Sequence, residues 1–188
     1  MATIRSTPEI EAYLDLIAES EGTSSNPVTR ASGYDIIVTG INGPNRFDDY
    51  STHPFANGRP PILVRHAQPA VYDPHVNLAL GTQKIITPAV TELRSTASGR
   101  YQITRPTWEN LVQTYKLSTF GAMNQDVAAL YLLVECHAKG FIHSGMIQNA
   151  IACCAQTWAS FPGNDDNQGG RSMQWLLDKY TELYNALR

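Results

Sequence analysis

Two glutamates lie near the end of the stretch DLIAESEGT, residues 15–23, and a well-placed carboxyl group can move a proton during catalysis. Helical geometry separates the two, because each residue turns a helix by about 100°. Glu21 lies eleven positions after Ile10 and returns to the apolar side of the helix, whereas Glu19 faces the opposite side. The apolar side is formed by Ile10, Tyr13, Leu14, Ile17 and Ala18. The spacing therefore selects Glu21 as the candidate for chemistry.

A carboxylate among apolar residues is costly unless a partner compensates it, so the pattern predicts a raised pKa for Glu21. The negative end of the helix dipole acts in the same direction. A carboxyl group that stays protonated near neutral pH is suited to general acid catalysis. The alternative is a structural glutamate at a helix end, hydrogen-bonded to nearby backbone or to an arginine.

The residues before Glu21 predict how its helix begins and ends. Ser6 and Glu9 have the spacing of a capping box, and Pro8 suits a first helical turn. Gly22 is expected to end the helix, because glycine favours the left-handed conformation found there.

The remaining elements predict an α+β fold that is mainly α. The stretch YDIIVTG, residues 34–40, indicates a strand in a small hairpin lobe. Residues 54–90 hold six of the eleven prolines and predict a long loop, with one short element at most, inserted into a single domain spanning 1–188. Four helices are predicted to follow, within 105–116, 124–140, 144–154 and about 171–187. A small β-rich lobe and a helical lobe would then flank a cleft, the natural site for a ligand.

Composition and charge exclude several classes of protein. The chain has 188 residues and a net charge of −3, which gives no general attraction to nucleic acid or to anionic lipid. No apolar stretch has the length of a membrane span, and the N-terminus lacks the apolar region of a signal peptide. We therefore expect a protein that is made in the cytoplasm and does not bind membranes stably.

Histidines and cysteines give no strong sign of a metal or a cofactor. The five histidines are scattered, although a zinc site in the proline-rich loop, formed by His53, His66 and His75, is an alternative. The three cysteines, at 136, 153 and 154, form no C-x-x-C motif and lie among apolar residues, so buried free thiols are expected. The sequence predicts neither a cofactor nor a metal.

Two further stretches carry side chains that suit a sugar ligand. In TASGRYQI, residues 96–103, Gly99 permits close backbone approach, Tyr101 offers an aromatic face and Gln102 offers an amide. In QTWASFPG, residues 156–163, Trp158 and Phe161 lie around a helix end. Taken singly, the first stretch is also typical of a polar turn, and the second of a hydrophobic staple.

Taken together, these stretches resemble the lambda-phage endolysin family, whose members are also called lambda lysozymes. The residues that carry the resemblance occur in order between about 9 and 180: SEGT (20–23), GYDIIVTG (33–40), FDDYSTHP (47–54), TASGRYQI (96–103), NQDVAAL (124–130) and WASFPG (158–163). Six matches in the same order are far more specific than any one of them. The resemblance implies a lysozyme-like fold with a two-lobed cleft.

The activity implied by the resemblance is lytic transglycosylation of bacterial peptidoglycan. Such enzymes break the β-1,4 bond between N-acetylmuramic acid and N-acetylglucosamine without adding water, and leave 1,6-anhydro-muramyl ends. The single catalytic glutamate of the family's S-E-G-T motif corresponds to Glu21. The resemblance further implies substrate-binding roles for Tyr34, Asp35, Tyr50, Arg100, Tyr101, Gln102 and Trp158.

Two departures from the family pattern and three alternative functions are left open. The proline-rich segment is longer than the family's usual connection, and the loop after WASFPG carries Asp165 and Asp166 where the family tends to have a tyrosine.

A hydrolytic muramidase on the same fold would use Asp35 to position water. A peptidoglycan-binding protein without turnover is the second alternative. A cell-wall amidase or peptidase is the third, and no nucleophile or metal set for it can be assembled.

The resemblance also implies partners and location. The expected binding partner is the peptidoglycan glycan strand, and the expected state is a monomer. An endolysin without a signal peptide accumulates in the host cytoplasm and reaches the periplasm and cell wall once a holin opens the inner membrane. This functional dependence needs no direct contact with the holin.

Overall fold

The structure is a computed structural model that describes residues 1–72, 85–163 and 170–188. In these ranges the chain forms six helices and six short strands. In chain order they are α1 (Pro8–Ser20), β1 (Ile36–Gly40), β2 (Gly43–Arg46), β3 (Ile62–Arg65), β4 (Val71–Tyr72), β5 (Ile85–Thr87), β6 (Leu93–Ser95), α2 (Arg105–Tyr115), α3 (Ala122–Glu135), α4 (Ala138–His143), α5 (Ile147–Cys154) and α6 (Met173–Ala186). The predicted α+β class, mainly α, is confirmed.

Helix α1 lies at the centre of the hydrophobic core, as its apolar stripe predicts. The ring of Tyr13 meets Phe161 edge-on at 6.2 Å and Tyr180 of α6 at 6.3 Å. The predicted capping box is wrong. The N-cap residue is Thr7, and the backbone N–H of Ser6 is satisfied instead by the carboxylate of Glu11 at 2.7 Å.

Strands β1 and β2 form the predicted hairpin. They pair antiparallel, with Ile36 opposite Arg46 and Ile37 opposite Asn45. Ile36 and Ile37 are buried, so the hairpin packs onto the core through its first strand.

The proline-rich segment is more regular than predicted. It contains strands β3, β4 and β5, where one short element at most was expected. Strand β3 pairs antiparallel with β6, and β4 with β5. Prolines are tolerated here because they bound the strands: Pro60 and Pro61 precede β3, and Pro88 follows β5. Residues 73–84, which include Pro74 and His75, lie outside the described ranges, and the assignment of 54–90 as an insertion stays a prediction.

The helical lobe contains one helix more than predicted. The helix predicted for residues 124–140 is divided into α3 and α4. The division lies at His137, which adopts a left-handed conformation with φ of 60°. The predicted last helix is confirmed as α6, whose first turn is capped by the Ser172 hydroxyl at 3.2 Å from the N–H of Trp175.

The helices of the described ranges do not include one that is both long and apolar enough to cross a membrane.

Candidate active site

A cleft of about 520 Å³ lies between the β-rich part and the helical part of the chain, and Glu21 is on its wall. The strands and the residues next to them supply one side, and the turn after Gly99 and the residues after α5 supply the other. The lining residues from the β-rich part are Val38, Val64, Leu93, Arg94, Ser95 and Ala97. Strand β3 of the proline-rich segment thus contributes Val64 to the cleft.

Local backbone geometry places Glu21 at the end of α1. Its N–H still bonds to the carbonyl of Ile17 at 2.9 Å, and the next residue, Gly22, has the left-handed φ of 68° predicted for it. The hydroxyl of Thr23 then donates to the carbonyl of Arg100 at 2.6 Å. The motif therefore joins the helix end to the turn that forms the opposite part of the cleft.

The carboxyl group of Glu21 is partly buried and bonded to a hydroxyl group. Ser160 donates to its Oε1 at 2.7 Å, and the Oγ of Ser160 lies 2.9 Å from the Oγ of Ser20. Burial raises the pKa of Glu21 above its usual value, while hydrogen bonds from the Ser160 side chain and backbone act in the opposite direction. The raised pKa predicted from the apolar stripe is therefore found, and the partner is a serine and not an arginine.

Glu19 differs from Glu21 as its position on the helix predicts. It is not among the described residues that line the cleft, and its carboxylate accepts from Ser24 at 2.6 Å.

Three of the predicted sugar-binding residues meet Glu21 in the cleft: Tyr101, Gln102 and Trp158. The indole N–H of Trp158 donates to the carbonyl of Tyr101 at 3.0 Å, which ties the two stretches together. The side-chain amide of Gln102 folds back onto the carbonyl of Gly99 at 3.0 Å. The Tyr101 hydroxyl donates to the buried Asp126, and Tyr101 itself is 0% exposed, so it forms the wall of the cleft without presenting a free aromatic face.

Tyr34 and Arg100 are placed in the core and do not line the cleft. The hydroxyls of Tyr34 and Tyr101 both donate to the buried carboxylate of Asp126 at 2.6 Å. Arg100, 1% exposed, forms an ion pair with Asp15 at 2.7 Å. These buried residues support the cleft wall from its core side.

Asp35 and Tyr50 also lie away from the described cleft lining. Asp35 is buried, and its carboxylate accepts from the hydroxyl of Thr29 and from the N–H of Arg30 at 2.8 Å, which closes the loop before β1. The half-buried ring of Tyr50 packs against Phe47 with ring centroids 5.1 Å apart.

The histidines and cysteines are placed as follows. His53 is buried, its Nε2 lies 3.1 Å from the carbonyl of Ile103, and burial lowers its pKa to about 4. His66 is exposed, and no metal-binding cluster of three His, Cys, Asp or Glu side chains occurs in the described residues. The expectation of three buried thiols holds only for Cys154, since Cys136 is half-buried and Cys153 is exposed.

Sequence reasoning missed Ser160 and Arg94. Ser160 lies inside WASFPG, but a serine between aromatic residues carries no signal until its distance to Glu21 is known. Arg94 reaches the cleft through the pairing of β6 with β3, and that pairing is not visible in a segment rich in proline.

Comparison with known proteins identifies similar chains. Residues 11–186 match the family model described as Endolysin. The chain is 36% identical to the endolysin of Escherichia phage P2 over 94% of its own length and 93% of the relative's. It is 31% identical to the endolysin of Escherichia phage lambda over 95% of its own length and 92% of the relative's. The structure of bacteriophage lambda lysozyme complexed with a chitohexasaccharide superposes with a TM-score of 0.71 at 30% identity, covering 96% of this chain and 97% of that one. The predicted lysozyme-like fold is thereby confirmed.

Proposed function

Because this chain belongs to the endolysin family, we propose that it cleaves the glycan strands of bacterial peptidoglycan and so lyses the host of a phage or prophage. This is the family that the six matching sequence stretches predicted. The cleft supports a glycan substrate, since it combines apolar surface with the polar groups of Gln102, Ser95 and Thr107. The related lambda lysozyme was solved with a chitohexasaccharide, which is a sugar chain of the same general kind.

We further propose that the reaction is lytic transglycosylation. The observation that carries this proposal is that Glu21 is the one carboxylate lining the cleft in the described part of the chain. A glycosidase that hydrolyses its substrate normally needs a second carboxyl group, as base or as nucleophile. Asp35 is engaged by Thr29 and Arg30, which leaves it poorly placed to position water. Asp165 and Asp166 lie outside the described ranges.

A single carboxyl group suffices when the substrate supplies its own nucleophile. Glu21, whose protonated form is favoured by burial, gives its proton to the oxygen of the leaving sugar. The N-acetyl oxygen of the substrate stabilises the positive charge that develops at C1. Glu21, now a carboxylate, takes the proton from the 6-hydroxyl group as that oxygen bonds to C1. The products are a free 4-hydroxyl end and a 1,6-anhydro-muramyl end.

The products of the reaction distinguish the alternatives. Purified peptidoglycan is digested, and the soluble fragments are measured by mass spectrometry. Fragments lighter by one water than reducing muramyl ends support transglycosylation, whereas reducing ends would identify a hydrolytic muramidase. If no glycan cleavage is detected, the protein either binds peptidoglycan without turnover or cuts a bond outside the glycan strand.

Variants of the two glutamates test the assignment of Glu21. Glu21→Gln is expected to abolish fragment release while the protein stays folded by circular dichroism. Glu19→Gln is the matched control on the same helix end, and we expect it to keep nearly full activity because Glu19 bonds to Ser24 outside the cleft. Full activity in folded Glu21→Gln would contradict the proposal.

Family membership also suggests how the enzyme reaches its substrate. We infer that it acts on the cell wall as a monomer after a separate holin opens the inner membrane. Expression in a bacterial host with and without a holin tests this inference, since lysis is expected only when both are present.

A further inference from the structure

Three side-chain and backbone oxygens follow one another behind the carboxyl group of Glu21. Its Oε1 lies 2.7 Å from the Oγ of Ser160, which lies 2.9 Å from the Oγ of Ser20, which lies 2.8 Å from the carbonyl of Ile17. Ser20 is buried, with 6% of its surface exposed. The three contacts form one chain of hydroxyl groups that ends on the backbone of α1, and the backbone of Ser160 bonds to Glu21 beside it.

The number of protons in this chain depends on the state of Glu21. Each serine hydroxyl has one proton to donate. When the carboxyl group carries a proton on Oε1, three protons fill three contacts, all directed from Glu21 toward Ile17. When Glu21 is ionised, Ser160 must donate to the carboxylate, and Ser20 can serve either Ser160 or Ile17 but not both. The carbonyl of Ile17 keeps the N–H of Glu21 at 2.9 Å in either case.

We propose that Ser20 and Ser160 are positioning residues whose hydroxyl chain reverses its direction with the protonation state of Glu21. The inference rests on the proposed role of Glu21 as acid and then base. In the resting enzyme the chain is complete when the carboxyl group is protonated. The proton reaches the substrate from Oε2, so it must first move there from Oε1. When Oε1 loses the proton the chain reverses, and Ser160 donates to Oε1 from then until the proton returns. Glu21 is therefore hydrogen-bonded both before and after it gives up its proton.

The other charged and titratable groups described around the cleft are paired elsewhere or neutral. They therefore do not take the place of the two serines as partners of Glu21. Arg94 of β6 lines the cleft but is paired with Glu92 at 2.6 Å. Tyr101 also lines it, and burial raises the pKa of its hydroxyl well above the usual value, so it stays neutral. Glu19, on the far side of the helix end, bonds to Ser24.

The two serines are expected to affect the titration of Glu21 in opposite directions. Ser160→Ala removes the donor to the carboxylate, and a hydrogen bond to a charged group is stronger than one to a neutral group. The protonated form is then favoured, and the pKa of Glu21 rises. Ser20→Ala leaves the Ser160 proton without an acceptor only when Glu21 is protonated on Oε1. The form protonated on Oε1 then loses its stabilisation, whereas the ionised form and the form protonated on Oε2 keep the bond from Ser160. The pKa of Glu21 therefore falls toward the value set by protonation on Oε2 alone.

The test is the pH dependence of kcat/KM for fragment release from purified peptidoglycan, which reports the free enzyme. Activity requires protonated Glu21, so it declines as the pH rises through the pKa of this group. We expect the decline to move up by roughly 0.5–1 pH unit in Ser160→Ala and down by a similar amount in Ser20→Ala. Ser160→Thr, which keeps the hydroxyl, should restore the original profile.

A matched control and a direct titration complete the test. Ser24→Ala removes a serine–glutamate hydrogen bond of 2.6 Å at the same helix end and should leave the profile unchanged. Titration of the Glu21 side-chain carbon by NMR in the same folded variants gives the shifts independently of turnover. Shifts in the same direction, or none, would overturn the inference even if Glu21→Gln is inactive. Activity in Glu21→Gln would instead remove the proposed function on which the inference rests.

Discussion

Replacement of Gly99 by alanine is expected to destabilise the turn that builds one side of the cleft. Gly99 has a left-handed φ of 76°, and an added Cβ would lie 2.1 Å from the Oε1 of Gln125. The side chain of Gln125 must therefore move. In its present position it accepts from the N–H of Arg100 at 2.9 Å and donates to the carbonyls of Tyr34 at 3.0 Å and Phe120 at 2.8 Å.

The expected cost follows from these contacts. A left-handed backbone costs a residue with a Cβ about 1–2 kcal/mol. Each of the three buried hydrogen bonds of Gln125 contributes about 1 kcal/mol. Gly99→Ala should therefore lower the free energy of unfolding by about 4–5 kcal/mol if all three hydrogen bonds are lost.

Urea unfolding followed by circular dichroism measures this cost, with Gly58→Ala as the matched control. Gly58 has a similar φ of 79°, but an added Cβ would meet no heavy atom within 4 Å. Only the backbone cost of about 1–2 kcal/mol is expected there. Equal losses of stability in the two variants would refute the role assigned to Gln125. Activity per folded molecule should fall in Gly99→Ala alone, since Tyr101 and Gln102 follow directly.

Two further outcomes are expected from titratable and thiol groups outside the cleft. Burial lowers the pKa of His53 to about 4 from an ordinary value of 6.5, so the stability it contributes is complete above pH 6.5 and is lost as the pH falls toward 4. Urea unfolding of the natural protein should show a loss of up to about 3 kcal/mol over this range, and His53→Gln should show a clearly smaller one. The Sγ atoms of Cys136 and Cys154 lie 2.9 Å apart, so a small disulfide oxidant should link them with loss of two hydrogen atoms, as seen by mass spectrometry. The link should stabilise the fold by roughly 3 kcal/mol, and Cys153→Ser should not prevent it, whereas a bridge to Cys153 would contradict the geometry.

The sequence was sufficient to predict the position of Glu21. A helix repeats its environment in a fixed way, so an apolar stripe determines where a residue after it must point. The same periodicity predicted α6, and the conformational preference of glycine predicted Gly22 at the end of α1. Order along the chain was also enough to identify the family, because six short stretches matched together.

Contacts made by distant parts of the chain were not predictable in this way. Ser160 and Glu21 are far apart in sequence, and only the folded structure places them 2.7 Å apart. The strands of the proline-rich segment were missed because each is short and depends on a partner elsewhere, as β3 depends on β6. His137 ends a helix that its apolar pattern would have continued, since the pattern records burial and not backbone conformation.

Helix α6 has a consequence for the order in which a ribosome makes this protein. The hydroxyls of Tyr180 and Tyr184 bond to the backbone and side chain of Glu9, at 3.5 and 3.2 Å, across more than 170 positions of sequence. Helix α1 is synthesised before α6, and the part of its apolar face that packs on α6 stays uncovered until α6 has left the ribosomal tunnel. Contacts of such long range form late in folding. A nascent chain therefore carries Glu21 at the end of an undocked helix, and the cleft wall that this helix forms is completed only after α6 has been translated.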